Sequence, residues 1–265
     1  MGVLRAHVQT RSVSSRLAPA LEELELRQPS VVTRALLRDI AEQVGVTLGP
    51  SQLAARLVRL GWLLPLRKRD AWEFAPAARA GPYRSGDPWI ELRALLAHDP
   101  DAPVAVAFES AVWYLGRASH QPTVPVLAHR PGWHVPRVLG VRSVTFDWHV
   151  ASRPIRGLPV WTEATVVVAA ADRPSAQGNW GNADDWLPST FRAAVADDVL
   201  AEADGRSVST LARLGYLAEW AGEEETADRI EQQLPARLPV TFLGPRDRRE
   251  RWSRRWHVYD GLLPN

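Results

Sequence analysis

The stretch TRALLRDIAEQVGVTLGPSQLAARLVRLGWLLPLRKRDAWEF, residues 33–74, decides the fold of the first part of this chain. Its opening segment places apolar residues at helical spacing and reaches Gly45, a residue type that commonly ends a helix. After the break VTLGP, a second amphipathic segment has Leu53, Leu57 and Leu60 on one face. The opposite face of this second segment carries Ser51, Gln52, Ala55, Arg56 and Arg59. The pattern predicts a support helix followed by a candidate recognition helix.

A basic β-hairpin is expected directly after the second helix. Two short apolar runs, Trp62 to Leu66 and Ala71 to Phe74, are separated by a charged turn. The turn consists of Arg67, Lys68, Arg69 and Asp70. Upstream, residues 14–28 have leucines at helical spacing, and the β-branched segment SVVT is suited to a short strand that pairs with the hairpin. Together these elements predict a winged helix-turn-helix, in which the hairpin is the wing.

The side chains on this expected domain favour DNA binding over a merely structural role. Gln and Arg can make bidentate hydrogen bonds to purine edges in the major groove, and the small Ala54 and Ala55 allow the helix backbone to approach closely. Any small helical domain can have two amphipathic helices and a charged turn, but a helix-turn-helix directly before a basic hairpin is more specific than either part alone. The candidate DNA-binding residues are Thr33, Ser51, Gln52, Ala55, Arg56, Arg59, Arg67, Lys68 and Arg69.

Length and charge indicate two soluble domains. The chain has 265 residues, of which 46% are hydrophobic, and no cysteine, which excludes disulfides, thiolate metal sites and a cysteine nucleophile. Residues 1–80 carry twelve basic and seven acidic side chains, a net charge of +5, whereas residues 81–265 carry twenty basic and twenty-three acidic ones. We therefore expect a DNA-binding domain over 1–80, a Gly/Pro-rich linker over 81–87 and a second domain over 88–265. Residues 1–13 are expected to form a mobile basic arm.

The second domain is expected to mix helices and strands and to end in a helical subdomain, so that the whole chain is α+β. PVAVA and AFESAVWYLG indicate a strand and a short helix, and VTFDWHV alternates apolar and polar residues as a half-buried strand does. TEATVVVAAAD is compatible with a helix or a strand, and we favour a helix. Three further segments fit helices bounded by Gly or Pro: LPSTFRAAVADDVLAEADG, STLARLGYLAEWAG and EEETADRIEQQL.

A second basic cluster lies near the C-terminus. Six arginines and two acidic residues fall between positions 246 and 255, interleaved with two tryptophans. Arg and Trp are enriched at the energetic centres of interfaces, although a purely structural role for the two tryptophans is the alternative. The candidate partner-binding residues are Arg248, Arg249, Trp252, Arg254, Arg255 and Trp256.

With these elements in place, the chain resembles the AbiEi family of antitoxins from bacterial abortive-infection and toxin–antitoxin operons. The similarity rests on GWLLPLRKRDAWEFAP, AFESAVWYLG, TLARLGYLAEWAG and the late segment WHV, and RLGYLAE is the most specific of these. This chain has Asp70 where relatives often have Gly at the wing turn, and Asp260 where an Asn tends to follow the late Trp segment.

The resemblance implies a DNA-binding protein that represses its own operon through inverted repeats on double-stranded DNA. It also implies a C-terminal domain that counteracts a nucleotidyltransferase-like toxin encoded beside it. A homodimer on DNA would match the symmetry of such an operator. The alternative is a stand-alone winged-helix transcriptional regulator whose second domain senses a ligand or partner. A third, weaker reading is an enzyme with an appended DNA-binding domain, and the neighbouring gene discriminates best among them.

Catalytic and membrane functions find little support in the residues. Ser110 has no flanking glycines to form a nucleophile elbow, and the chain's single lysine, Lys68, belongs to the basic turn. The histidines lack the i, i+4 spacing of a metal site. No run approaches the ~18 apolar residues of a membrane span, and the first residues lack the apolar core of a signal peptide. We therefore expect a cytoplasmic protein that is not an enzyme and needs no cofactor or metal.

Overall fold

The computed structural model describes residues 14–79, 83–136 and 139–264. The expected basic arm over residues 1–13 lies outside the described residues. The described chain divides into two compact units. The first unit comprises the described residues within Met1–Ala102 and Pro136–Gly140, and the second comprises those within Pro103–Val135 and Val141–Asn265. The fold class is mixed α+β, as the sequence predicts.

The first unit contains three helices and a small sheet in its N-terminal part, followed by one more helix. In chain order, its elements are α1 Ala18–Arg27, β1 Val31–Thr33, α2 Arg34–Gln43, α3 Pro50–Arg59, β2 Leu63–Pro65, β3 Ala71–Phe74 and α4 Ile90–Leu96. The sheet is antiparallel in the order β1-β3-β2, with Thr33 opposite Ala71 and Leu63 opposite Phe74. The expected strand in SVVT therefore pairs with the return strand of the hairpin.

Local chemistry sets the ends of the two central helices. The Thr33 hydroxyl oxygen accepts the Leu36 N–H at 3.1 Å and so caps α2, while Gly45 after α2 has a left-handed φ of 69°. Pro50 begins α3, where its missing N–H costs no helical hydrogen bond. The leucine faces of both helices are buried in one core, and Ala54 is buried with them at 2% exposure. The expectation that Ala54 leaves room for a ligand is therefore wrong, because it lies on the core side of α3.

The division between the two units differs from the expected boundaries of 1–80, 81–87 and 88–265. Helix α4 belongs to the first unit, since Ala94 is buried against Leu66 and Ala71 of the hairpin. The chain before α4 is also tied to the sheet: the buried Glu73 carboxylate accepts hydrogen bonds from the Arg79 guanidinium at 2.9 Å and from the Ser85 N–H. The Gly/Pro composition signals an irregular segment, but it does not reveal such long-range contacts.

The second unit contains a five-stranded sheet, a group of helices and a small terminal sheet. Its strands are β4 Val104–Val106, β5 Val126–His129, β6 Arg142–Thr145, β7 Arg153–Ile155, β8 Leu158–Val160, β9 Thr241–Leu243, β10 Arg251–Ser253 and β11 Val258–Asp260. Its helices are α5 Phe108–Tyr114, α6 Glu163–Asp172, α7 Ala183–Ala193, α8 Ala196–Ala203, α9 Val208–Trp220 and α10 Glu224–Glu231, with short 3-10 turns at Pro174–Ala176 and Trp180–Asn182. The larger sheet has the order β6-β5-β4-β8-β7, and the terminal sheet has the order β10-β11-β9.

Helix α6 forms the centre of the second unit. The expected helix in TEATVVVAAAD is confirmed: Thr162 caps it, and all but its last residue are buried. A helix that is apolar all round is buried on every side, which is why its sequence also resembles a buried strand. Helices α7, α8 and α9 all contact it.

Two expected elements are shorter than their sequence patterns suggest. In VTFDWHV the strand ends at Thr145, although the alternation continues, with Phe146 and Trp148 buried and the residues between and after them exposed. The expected helix over 187–205 is interrupted where Ala194 and Val195 are extended, so α7 and α8 are separate. Two aspartates in the first turn of α8 favour a new helix start at that point. No helix in the described ranges is long and apolar enough to cross a bilayer.

Candidate functional site

The exposed face of α3 presents the polar side chains expected from the sequence. Ser51, Gln52, Ala55 and Arg59 are exposed and Arg56 is half-buried, because Leu53, Ala54 and Leu57 take the core side of the helix. Within the described part of the chain, the guanidinium groups of Arg56 and Arg59 form no hydrogen bond or ion pair. These two cations are therefore available to a ligand.

The turn between β2 and β3 presents three more cations on a fixed backbone. Arg67, Lys68 and Arg69 are exposed there, and the Arg67 N–H donates to the Glu91 carboxylate at 3.2 Å. Asp70 closes the turn with a φ of 59°, a left-handed conformation that Asp tolerates better than most residues. Asp70 thus adopts a turn geometry that usually favours glycine.

Two hydrogen bonds join this turn to the start of α2. The Arg34 guanidinium donates to Asp70 Oδ1 at 2.8 Å, and the Arg34 N–H donates to the Asp70 carbonyl at 3.2 Å. Thr33, which precedes Arg34, uses one lone pair of its hydroxyl oxygen to cap α2, and its hydroxyl hydrogen can still be donated to a ligand. The turn and α2 therefore form one hydrogen-bonded assembly.

The C-terminal basic cluster divides into inner and outer residues. Arg255 donates to Glu219 at 2.9 Å, to Asp228 at 2.5 Å and to Glu231 at 2.7 Å. The hydrogen bond that Arg255 donates to Glu231 is the largest cause that raises the pKa of Arg255 above its usual value. Trp256 is fully buried. The expectation that Arg255 and Trp256 belong to a partner-binding surface is therefore wrong: acidic residues of α9 and α10 neutralise Arg255, and Trp256 is part of the core.

The segment RLGYLAE on α9 holds the terminal strands in place. A Cβ at Gly215 would lie 2.1 Å from the Trp256 ring, so only glycine allows this approach. The Trp256 Nε1–H donates to Glu219 at 2.9 Å, and the Tyr216 hydroxyl donates to the buried Asp260 carboxylate at 3.0 Å. Burial, followed by the charge of Asp260, raises the pKa of Tyr216 above its usual range. Contacts from this segment therefore hold strand β11, and Trp256 just before it, against α9.

Asp260 is a satisfied buried carboxylate. Its oxygens accept hydrogen bonds from Tyr216, from the Arg251 guanidinium at 2.9 Å and from the N–H groups of Leu262 and Leu263. Arg251 also donates to the Pro264 carbonyl at 2.6 Å. Asp260 forms an ion pair with Arg251, which a neutral asparagine at this position could not form.

Comparison with known proteins identifies the second unit. Residues 104–220 match the family model described as the AbiEi antitoxin C-terminal domain. The region of the second unit over these residues is therefore similar to an AbiEi antitoxin C-terminal domain. The matched region includes RLGYLAE and ends with α9. A search of curated proteins finds no match to this chain.

A solved structure shares the fold of this chain over nearly its whole length. The crystal structure of the RV2827C protein from Mycobacterium tuberculosis aligns with a TM-score of 0.79 and 24% sequence identity. The alignment covers 96% of this chain and 94% of the other. At this level of identity the likeness shows the fold alone.

The outer residues of the C-terminal basic cluster remain exposed. Arg248, Arg249 and Arg254 are exposed, and so is Trp252 with 43% of its surface accessible. None of the three arginines forms an ion pair with a described residue. Of the six expected partner-binding residues, the structure therefore leaves four on the surface.

The serine considered as a nucleophile has a structural role. The buried Ser110 hydroxyl accepts the Val126 N–H at 2.9 Å and so links α5 to β5. Among the described residues, no group of three or more His, Asp or Glu side chains is placed to hold a metal ion. Sequence reasoning missed Tyr259, whose ring lies beside Trp252 on the terminal sheet, and Phe242, whose ring stacks on that of Tyr259. One aromatic residue in each of three short strands is the signal that could have indicated them.

Proposed function

We propose that this protein is an antitoxin that binds double-stranded DNA through its first unit and represses its own toxin–antitoxin operon. One observation carries this proposal: α3 presents Gln52 and two unpaired arginines, Arg56 and Arg59, and the following hairpin presents an exposed basic turn. The element order α1-β1-α2-α3-β2-β3 and the sheet order β1-β3-β2 agree with a winged helix-turn-helix. In this proposal α3 is the recognition helix and the hairpin is the wing.

Each exposed group has a task that suits its chemistry. Residues near the start of a recognition helix reach base edges in the major groove, which suits Ser51, Gln52 and Ala55. Arg56 and Arg59, one and two turns further on, carry bidentate donors that match guanine. Contacts to phosphate position a protein on the duplex without reading sequence, and the proposed contacts come from Thr33, Arg67, Lys68 and Arg69.

We further propose that the operator is an inverted repeat read by two copies of the chain. One recognition helix covers only a few base pairs, so useful specificity requires two half-sites spaced by about one helical turn, about 34 Å, or a multiple of it. The two copies form a homodimer on the DNA. A footprint over a single unrepeated half-site at saturation contradicts this arrangement.

We assign the antitoxic activity to the second unit, which carries the family match. The proposed partner is a nucleotidyltransferase-like toxin encoded by the neighbouring gene, and the proposed contact surface consists of the exposed Arg248, Arg249, Trp252 and Arg254. We propose a cytoplasmic protein without catalytic activity, in keeping with this family of antitoxins. If no toxin gene lies beside this one, a stand-alone transcriptional regulator becomes the better interpretation.

A gel-shift titration on the protein's own promoter tests the DNA-binding role. Arg56→Ala should cost about 1–3 kcal/mol on the specific site, while Lys68→Ala should weaken all sequences equally and lower the salt slope by about 1. Arg38→Ala is the matched control, because Arg38 is an exposed arginine of the neighbouring helix α2. Unchanged promoter binding by both test variants would refute the assignment.

Rescue of cells that express the neighbouring toxin tests the second role. The triple variant Arg248→Ser, Arg249→Ser, Arg254→Ser should impair rescue and leave promoter binding intact, provided that circular dichroism shows a retained fold. Arg255 is left unchanged in this variant because its ion pairs hold the terminal segment to α9 and α10. Full rescue by the triple variant would remove this surface from the antitoxic mechanism.

A further inference from the structure

The outer face of the terminal sheet carries a row of three aromatic rings. Trp252 on β10 lies opposite Tyr259 on β11, and Tyr259 lies opposite Phe242 on β9. Residues directly opposite one another point to the same face of a sheet, and the ring centroids are 4.5 Å and 5.6 Å apart. The alternate residues Leu243 and Val258 are buried on the other face, toward α9. The aromatic row is therefore turned away from the core.

Arginines that form no ion pair with a described residue lie over and beside this row. The guanidinium of Arg249 lies 5.5 Å from the centre of the Phe242 ring and 5.4 Å from that of Tyr259, and the guanidinium of Arg246 lies 5.6 Å from Phe242. Neither arginine forms an ion pair with a residue in the described ranges, and neither do Arg248 and Arg254. The inner arginines, by contrast, are neutralised by Asp260 and by the acids of α9 and α10. The surface thus combines flat aromatic rings with uncompensated positive charge.

We propose that this aromatic row is a binding platform for single-stranded nucleic acid. Aromatic side chains on adjacent strands stack unpaired bases, two or three at a time, and neighbouring arginines bind the phosphates that link them. A duplex cannot use such a row, because its bases are already stacked inside the helix. An acidic protein would satisfy the arginines but would make no specific use of three aromatic rings in a row. The ligand chemistry that uses both features is a short run of unpaired nucleotides.

The proposal deepens the assigned role of the C-terminal surface and rests on that surface being the partner-binding surface of the antitoxin. It gives the aromatic row a nucleic acid strand as its ligand, in addition to the toxin contact proposed for this surface. It is separate from operator binding, which uses α3 and the basic turn of the first unit.

Fluorescence anisotropy with the full-length chain tests the platform. The probes are fluorescein-labelled oligo(U) and oligo(dT), each of 12 nucleotides as a design choice within the usual site sizes. We expect both probes to bind, since stacking and phosphate contacts do not require a 2′-hydroxyl; binding of oligo(U) alone would identify the strand as RNA. Trp252→Ala should weaken binding about 5- to 100-fold, which corresponds to the loss of one stacked base. Trp252→Phe should retain most of the affinity.

Matched variants separate this site from other basic surfaces. Arg192→Ala removes an exposed arginine elsewhere in the second unit and should leave binding unchanged. The pair Arg56→Ala, Arg59→Ala in the first unit should also leave it unchanged. Arg248→Ser with Arg254→Ser should lower the salt slope by about 0.7 for each lost phosphate contact.

Two results would overturn the inference. One is failure of the native chain to bind either oligonucleotide, and the other is equal binding by the native chain and Trp252→Ala. The rescue assay then shows which proposal has failed. If Trp252→Ala loses rescue although no oligonucleotide binds, the surface contacts a protein and the proposed antitoxic surface stands. If the triple serine variant rescues fully, the surface has no antitoxic role whatever it binds.

Discussion

Replacing Gly215 with alanine should destabilise the second unit through a single steric conflict. The added Cβ would lie 2.1 Å from Cζ3 of Trp256, whereas carbon atoms in contact are separated by about 3.5–4.0 Å. The ring would have to retreat by about 1.5 Å to restore a normal contact distance. Because Trp256 is fully buried, this retreat disturbs the packing of the core around it.

The magnitude follows from what the ring loses when it moves. Its Nε1–H donates to the Glu219 carboxylate at 2.9 Å, and a hydrogen bond to a charged group contributes about 1.5–3 kcal/mol. Overpacking of a filled core costs about 1–3 kcal/mol in addition. We therefore expect Gly215→Ala to lower the free energy of unfolding of the second unit by about 3–5 kcal/mol.

Urea unfolding followed by tryptophan fluorescence measures this effect. Gly181→Ala is the matched control, because a Cβ at Gly181 meets no atom within 4 Å and its φ is not left-handed. This control should be neutral or stabilising by up to about 1 kcal/mol. If Gly215→Ala lowers the free energy of unfolding by less than about 1 kcal/mol, the argument that RLGYLAE docks the terminal strands through a close glycine contact is refuted.

Three further predictions concern alkaline stability, the basic turn and the division of tasks. Burial raises the pKa of Tyr216 in the folded state above the unfolded value of about 10. The protonated hydroxyl therefore stabilises the fold below that pH, and this contribution is lost as the pH rises. Urea midpoints above pH 10 should accordingly fall less for Tyr216→Phe than for the native chain. Asp70→Gly should keep the left-handed turn, whereas Asp70→Ala should be less stable than Asp70→Gly by about 1 kcal/mol in thermal unfolding; equal melting temperatures would contradict this. Arg56→Ala combined with Arg59→Ala should abolish repression of a promoter–reporter fusion while toxin rescue persists, and a joint loss of both activities would argue against separate tasks for the two units.

The positions of most helices in this chain could be predicted from sequence because the signals are local. Leucines at i, i+4 and i+7 define the buried face of α3, and the cap residue Thr33 and the terminating Gly45 define the ends of α2. The exposed face of α3 follows directly from the same periodicity. The sequence of α6 is compatible with a helix or a strand, because a segment that is buried on every side shows no amphipathic periodicity.

Sequence by itself determined the local elements, the uneven charge and the family resemblance, because each depends on residues that are close together along the chain. Only the tertiary structure decided that α4 packs on the first sheet, since its apolar face could have matched many partners. Only the tertiary structure also showed which arginines of the C-terminal cluster are paired with acids and which are exposed. Arg255 meets acids from 24 to 36 residues away and becomes structural, while its sequence neighbour Arg254 stays exposed. Proximity in sequence cannot separate these two residues, because their charges are balanced by side chains that only the folded chain brings near.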